Sequence, residues 1–153
     1  MRITKWGEYG ILFSLYLAKA GSQQAVGAAE LAEFHSIPLQ YAQQILQRLR
    51  RGGIVKSIRG PGGGYQLEAP PAEVNLKMIL CAAEGDTFEV ICATHPLLVD
   101  VCAVPNCCAV HQLWSDLKAS IESLLEQHTL ADMLLNHRSN IPCPSNGNGV
   151  AAH

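Results

Sequence analysis

A chain of 153 residues, 48% of them hydrophobic, can build one domain with a buried core, or a small domain with an assembly element, but not two independent enzymes. No stretch reaches the roughly 18 apolar residues that a helical membrane span needs. The formal net charge of −2 conceals a division: through Glu68 there are eight Lys/Arg against four Asp/Glu, and beyond it three against nine, so a polyanionic partner suits the first part alone.

The opening MRITKWGEYGILFSLYLAKA imitates a secretory signal, but Glu8 sits where the apolar run should begin. The expectation is a cytoplasmic protein, with no membrane partner, whose thiols stay reduced. Thr4 followed by Trp6, Tyr9, Leu12, Phe13, Tyr16 and Leu17 fits a helix that buries one face and stops at Gly21. A second helix is predicted from Ala28 to His35. Ser36 then serves as a cap and Pro38 as a first-turn residue for a third helix. Along it Leu39, Ala42, Ile45, Leu46 and Leu49 repeat at helical spacing before Gly52 and Gly53 end it. Two helices joined by so short a turn make a helix-turn-helix candidate.

The segment IVKSIRGPGGGYQLE alternates Ile54, Lys56 and Ile58, then Tyr65 and Leu67, around a glycine-rich turn, as a β-hairpin does. No Lys-Ser/Thr pair and no helix follow those glycines, which argues against a phosphate-binding loop. Pro70 and Pro71 mark a boundary. Asn75 caps a short helix from Leu76 to Glu84, with Met78, Ile79 and Ala82 inward, and residues 85–108 read as a loop. Val110, Leu113, Leu117, Ile121, Leu124 and Leu125 then define a long helix ending near Gln127, and Thr129 caps a last short helix through Leu134. The apolar stripe of the long helix needs a partner surface, and a second copy of the chain is the simplest supply. The Pro/Gly/Asn-rich tail is expected to be disordered.

The face of the third helix opposite its apolar stripe carries Gln40, Tyr41, Gln43, Gln44, Gln47, Arg48 and Arg51, with no acid among them. A helix fits the major groove of DNA, where Gln pairs with adenine and Arg with guanine, while Lys56 and Arg59 on the hairpin reach flanking phosphates. The preceding helix, the wing and the basic first part favour this over a merely solvated face.

The six cysteines are Cys81, Cys92, Cys102, Cys107, Cys108 and Cys143, and CAVPNCCAVHQLW brings three of them close to His111. Thiolates and an imidazole on one loop suit an iron–sulfur cluster or zinc. The paired Cys-x2-Cys spacing that zinc usually prefers is absent, which favours iron–sulfur. An alternative without a cluster is reversible oxidation of Cys107 or Cys108. A small redox or electron-transfer protein is a third reading, opposed by the missing Cys-x2-Cys and by the glutamine-rich helix with its basic wing.

The stretches MRITKWGEYG, QILQRLRRGGIVKSIRGPGGGY and CCAVHQLW resemble the Rrf2 family of bacterial transcription regulators, whose branches include iron–sulfur, nitric-oxide and iron-responsive repressors. The likeness spans Met1 to Leu135. It implies a mainly α protein with a small β-hairpin wing: a winged helix-turn-helix and a long dimerisation helix in each subunit of a homodimer. Such a protein is not an enzyme, and its partner is a roughly palindromic double-stranded DNA operator. Residues 1–71 would form the DNA-binding domain, 72–138 the cluster-binding loop and dimerisation helices, and 139–153 the tail. The resemblance also implies an iron–sulfur cluster, 2Fe-2S or 4Fe-4S, at Cys92, Cys102 and Cys108. Its fourth ligand is either Glu8 of the partner subunit or His111, and Cys107 is a competing ligand. Nine residues separate Cys92 from Cys102, more than in the familiar branches, whereas the five between Cys102 and Cys108 are normal.

Overall fold

The computed structural model describes residues 3–85 and 109–136. Cys92, Cys102, Cys107, Cys108 and the tail therefore lie outside the described residues. Helix α1 (Lys5–Ala20) starts at Thr4, whose hydroxyl accepts from the Trp6 amide at 3.2 Å, and ends at Gly21 with φ +81°. It buries Phe13 and Leu17 together with Gly7, Gly10 and Ser14. The buried Ser14 hydroxyl is satisfied by donating to the Gly10 carbonyl at 2.8 Å. Leu12 does not face the core as expected. It is exposed on the other side of the helix, because one residue turns the helix by more than a quarter of its circumference.

Helix α2 (Ala28–Phe34) closes with a Schellman arrangement: the Ser36 amide donates to the Glu33 carbonyl at 3.1 Å and the Ile37 amide to the Ala32 carbonyl at 2.9 Å. This turn takes Ser36 to φ +54°, so Ser36 completes α2 rather than capping the next helix. Pro38, expected inside the first turn, is instead the extended residue before α3 (Leu39–Arg51). Ala42, Ile45, Leu46 and Leu49 of α3 are fully buried, whereas Leu39, at the helix start and beyond the edge of the core, is 45% exposed.

Strands β1 (Val55–Ile58) and β2 (Gly64–Leu67) pair antiparallel, with Val55 opposite Leu67 and Ile58 opposite Gly64. The anticipated alternation is shifted: Ile54 and Val55 are both buried and Ile58 is exposed at the turn end. Val26 extends the hairpin by exchanging backbone hydrogen bonds with Tyr65 at 2.9 and 2.8 Å. Glycine at position 64 permits this approach, since a Cβ there would lie 2.5 Å from the Val26 carbonyl oxygen.

Helix α4 (Leu76–Glu84) is capped by the Asn75 side chain, which accepts from the Met78 amide at 2.9 Å. Ile79 points inward as expected, but its buried companions are Leu80 and Ala83; Met78 is exposed and Ala82 only half-buried. Helix α5 (Ala109–Gln127) buries none of its residues. Helix α6 (Leu130–Asn136) follows a reciprocal cap in which the Thr129 hydroxyl accepts from the Asp132 amide while the Asp132 carboxylate accepts from the Thr129 amide and hydroxyl. These bonds hold the Asp132 carboxyl below its ordinary pKa. The core does not stop at Pro71. Val74, Ile79, Ala83 and Leu130 join Phe13, Leu31 and Ile45 in one buried cluster, so α4 and α6 pack on the same core as the helix-turn-helix. At about 2 kcal/mol for each fully buried leucine or isoleucine, this shared core holds the helix-turn-helix and the end of α4 in one body.

Candidate nucleic-acid interface and the root of the cysteine segment

On α3, Gln40, Gln44, Gln47 and Arg51 are spaced four, three and four residues apart and so share the face opposite the buried stripe, with Gln43 at its edge. All five are exposed, and among the described residues no hydrogen bond or ion pair ties them back to the fold. Arg59 is exposed at the start of the Gly60-Pro61-Gly62-Gly63 turn, and Lys56 is half-buried on β1. Amides, guanidiniums and an ammonium thus face solvent from two adjoining elements.

Tyr41 and Arg48 have a different place from their neighbours. Seven residues apart, they sit on one flank of α3, and both meet Trp6 of α1. The Tyr41 ring lies 4.7 Å from Trp6 and 5.9 Å from Tyr9, while the Arg48 guanidinium carbon stands 4.2 Å over the Trp6 ring. Arg48 also donates from Nη1 to the Ala83 carbonyl at 2.8 Å, at the end of α4. Its charge is therefore engaged within the protomer.

Sequence reasoning missed Glu84. Its carboxylate Oε1 accepts from the Thr4 amide at 2.6 Å, the Thr4 hydroxyl at 2.8 Å and the Gly7 amide at 2.8 Å, satisfying donors that the start of α1 would otherwise leave open. One signal was available: an acid in the last turn of a helix is disfavoured by that helix's own dipole, which hints at a partner elsewhere.

Of the two residues implied as fourth ligands, Glu8 is exposed in the first turn of α1 and pairs with Lys5 at 2.8 Å. That hydrogen bond and charge raise the pKa of Lys5. Glu8 also lines an open groove of about 470 Å³ with Ile3, Ile11, Leu12, Leu15 and Met133. His111 is half-buried in the first turn of α5. Among the described residues no three His, Cys, Asp or Glu side chains come together as a metal site, so Glu8 and His111 are not joined in one protomer by other described ligands. Cys81, on α4, is exposed.

The turn of the helix-turn-helix carries one further unusual group. His35 is ringed by Tyr9, Phe13, Tyr16 and Phe34 with centroids at 6.2, 5.3, 6.4 and 5.0 Å. Its Nε2 is buried with no hydrogen-bond partner, and burial lowers its pKa.

Among known proteins, the family model described as Rrf2, iron-dependent transcriptional regulator, matches residues 3–136. The HTH-type transcriptional regulator IscR of Yersinia pseudotuberculosis is 35% identical over 136 residues, covering 89% of this chain and 80% of that one. CymR, the global cysteine regulator of Bacillus subtilis, superposes with a TM-score of 0.72 at 28% identity, covering 89% of this chain and 98% of that one. IscR of T. potens superposes with a TM-score of 0.69 at 28% identity, covering 90% and 88%. Within the described residues no helix is long and apolar enough to cross a membrane. The helix-turn-helix, its wing and this kinship agree that the chain is a regulator rather than an enzyme: it belongs to the Rrf2 family of DNA-binding transcription regulators.

Proposed function

We propose that the protein is a homodimeric regulator that reads a roughly palindromic operator through α3 and the wing, and whose operator affinity is set by an iron–sulfur cluster. The observation that carries the DNA part is the unengaged face of Gln40, Gln44, Gln47 and Arg51 on a helix held rigidly by its buried opposite side. Gln40, Gln43, Gln44, Gln47 and Arg51 supply groove contacts, Lys56 and Arg59 supply phosphate contacts, and Tyr41 and Arg48 orient the helix from its flank. A second copy is favoured by the apolar stripe of α5, where Leu113 is 64% and Leu124 55% exposed, and by the open apolar groove beside α1.

The donor set fits a cluster in its chemistry. Cys92, Cys102 and Cys108 offer thiolates, and the exposed Glu8 carboxylate of the partner subunit or the His111 imidazole offers the fourth bond. A bound cluster would supply a redox- and iron-sensitive crosslink among these side chains. The family's description as iron-dependent supports that reading. The second reading, reversible oxidation of Cys107 or Cys108, is favoured by the likeness to a regulator named for cysteine.

Anaerobically purified protein decides between them. A coloured protein with stoichiometric iron and sulfide, bleached by Cys108→Ala, supports the cluster; a colourless wild type without iron or sulfide replaces it with thiol chemistry. Arg51→Ala should weaken operator binding by about 1–3 kcal/mol in either case. Unchanged binding would remove α3 as the reader.

A further inference from the structure

We propose that Glu84 and Arg48 are the positioning residues that link the cysteine segment to the DNA-reading helix. The inference rests on the sensing reading above and adds the route by which the sensor reaches the reader. Helix α4 ends at Glu84, and after Gly85 the chain continues into residues 86–108, which carry the candidate cysteine ligands. The last turn of α4 is held from two sides. On one side the Ala83 carbonyl accepts from Arg48 of the reading helix at 2.8 Å. On the other, the next residue's carboxylate takes the Thr4 and Gly7 amides and the Thr4 hydroxyl of α1. Trp6 lies between these grips, under the Arg48 guanidinium and one residue before Gly7. Two consecutive residues of α4 therefore touch both the reader and the first helix.

The surrounding packing leaves this joint no slack. A Cβ on Gly7 would collide with the Glu84 carboxylate and lie 2.8 Å from Leu80, and a Cβ on Gly10 would lie 2.9 Å from Ala83. A Cβ on Gly52, just past the reading helix, would collide with Ala82. Helix α4 is thus in contact at backbone distance with the start of α1 and the end of α3. Close-packed elements of this kind transmit a displacement instead of absorbing it. A change in the arrangement of the segment after Gly85 pulls on Glu84, and the same peptide moves Arg48. Glu84 also has an electrostatic reason to prefer this seat, since its charge opposes the dipole of its own helix and complements that of α1. The coupling is bounded by the difference in these contacts between the two states of the segment.

The test uses the full chain, prepared anaerobically, with metal-free protein made from the same batch. Operator affinity is measured in both states for wild type, Glu84→Ala and Glu84→Gln, and amide exchange of Gly7 is measured in the metal-free protein. In wild type the two affinities should differ by about 5-fold or more. Glu84→Ala should retain iron and sulfide, expose the Gly7 amide to faster exchange, and bring the ratio to within about 2-fold of unity. Glu84→Gln, whose side-chain carbonyl can accept the same bonds, should keep the ratio. Glu84→Asp, which keeps the charge but shortens the reach, is the second decoupled variant and should lose the ratio as Glu84→Ala does, even if the alanine form does not fold. A ratio unchanged in Glu84→Ala or Glu84→Asp beside a normal wild-type ratio overturns the link while leaving the sensing reading intact. Equal affinities in the two wild-type states instead overturn the sensing reading, and the link with it.

Discussion

Arg48 and Arg51 are near neighbours on one helix, yet they sit in different surroundings. Arg51 faces solvent, whereas Arg48 bonds the Ala83 carbonyl and covers Trp6. Arg48→Ala should therefore lower thermal stability by about 1–2 kcal/mol through a lost charge-assisted hydrogen bond and stacking contact, and Arg51→Ala should leave the melt unchanged while weakening operator binding. Parallel melting and binding curves for the two variants check this; equal stability losses would refute it. His35 makes a second prediction. Because burial lowers its folded pKa below the unfolded value near 6.5, the unfolded chain binds the proton first. Its contribution is fully present above the unfolded value and is lost as pH falls from there toward the folded one, with a slope of at most about 1.4 kcal/mol per pH unit. Urea midpoints of wild type and His35→Gln should diverge across that window, and parallel pH profiles would show that the histidine does not titrate in the folded state as its burial requires. Neither role was legible in the sequence, where Arg48 read as one more groove contact and His35 as the end of a helix.

The elements themselves were largely legible, because each depends on local signals: the caps at Asn75 and Thr129, the glycine stop at Gly21, the stripe of α3 and the turn of the hairpin. The misreadings fall where a neighbouring element overrides the local pattern. Ser36 has the residue type of a cap but completes the turn that closes α2. Ser36→Gly should accordingly raise stability by about 0.5–1 kcal/mol, since a left-handed residue is tolerated at lower cost by glycine; a loss of stability would contradict the turn geometry. The inward face of α4 was misplaced because Leu80 and Ala83 face the close glycines of α1, a contact no single-helix pattern reveals. Helix α5 makes the clearest prediction at this level. Leu117→Asp places a charge in the apolar stripe and should convert the proposed dimer to monomer in sedimentation at micromolar concentration. A wild type that already sediments as a monomer would remove α5 as the dimer contact.

Taken as one body, the chain carries five of its eleven Lys/Arg on α3 and the hairpin and its acidic excess beyond Glu68, and joins the two through a shared core that includes α4 and Leu130. The charge division was visible from composition; the joint was not, because Glu84, Trp6 and Arg48 are far apart in sequence and meet only through the packing of three helices. Operator binding should fall steeply with salt, as phosphate contacts from the wing and reading helix release counterions. If the cysteine segment sets what α3 can bind, titrating one anaerobic preparation on its operator before and after the cluster is removed reads that control as a change in affinity. The two affinities should differ by about 5-fold or more, with operator DNA shifting cluster stability by the same factor. Identical affinities in a preparation shown to have carried iron and sulfide would contradict it.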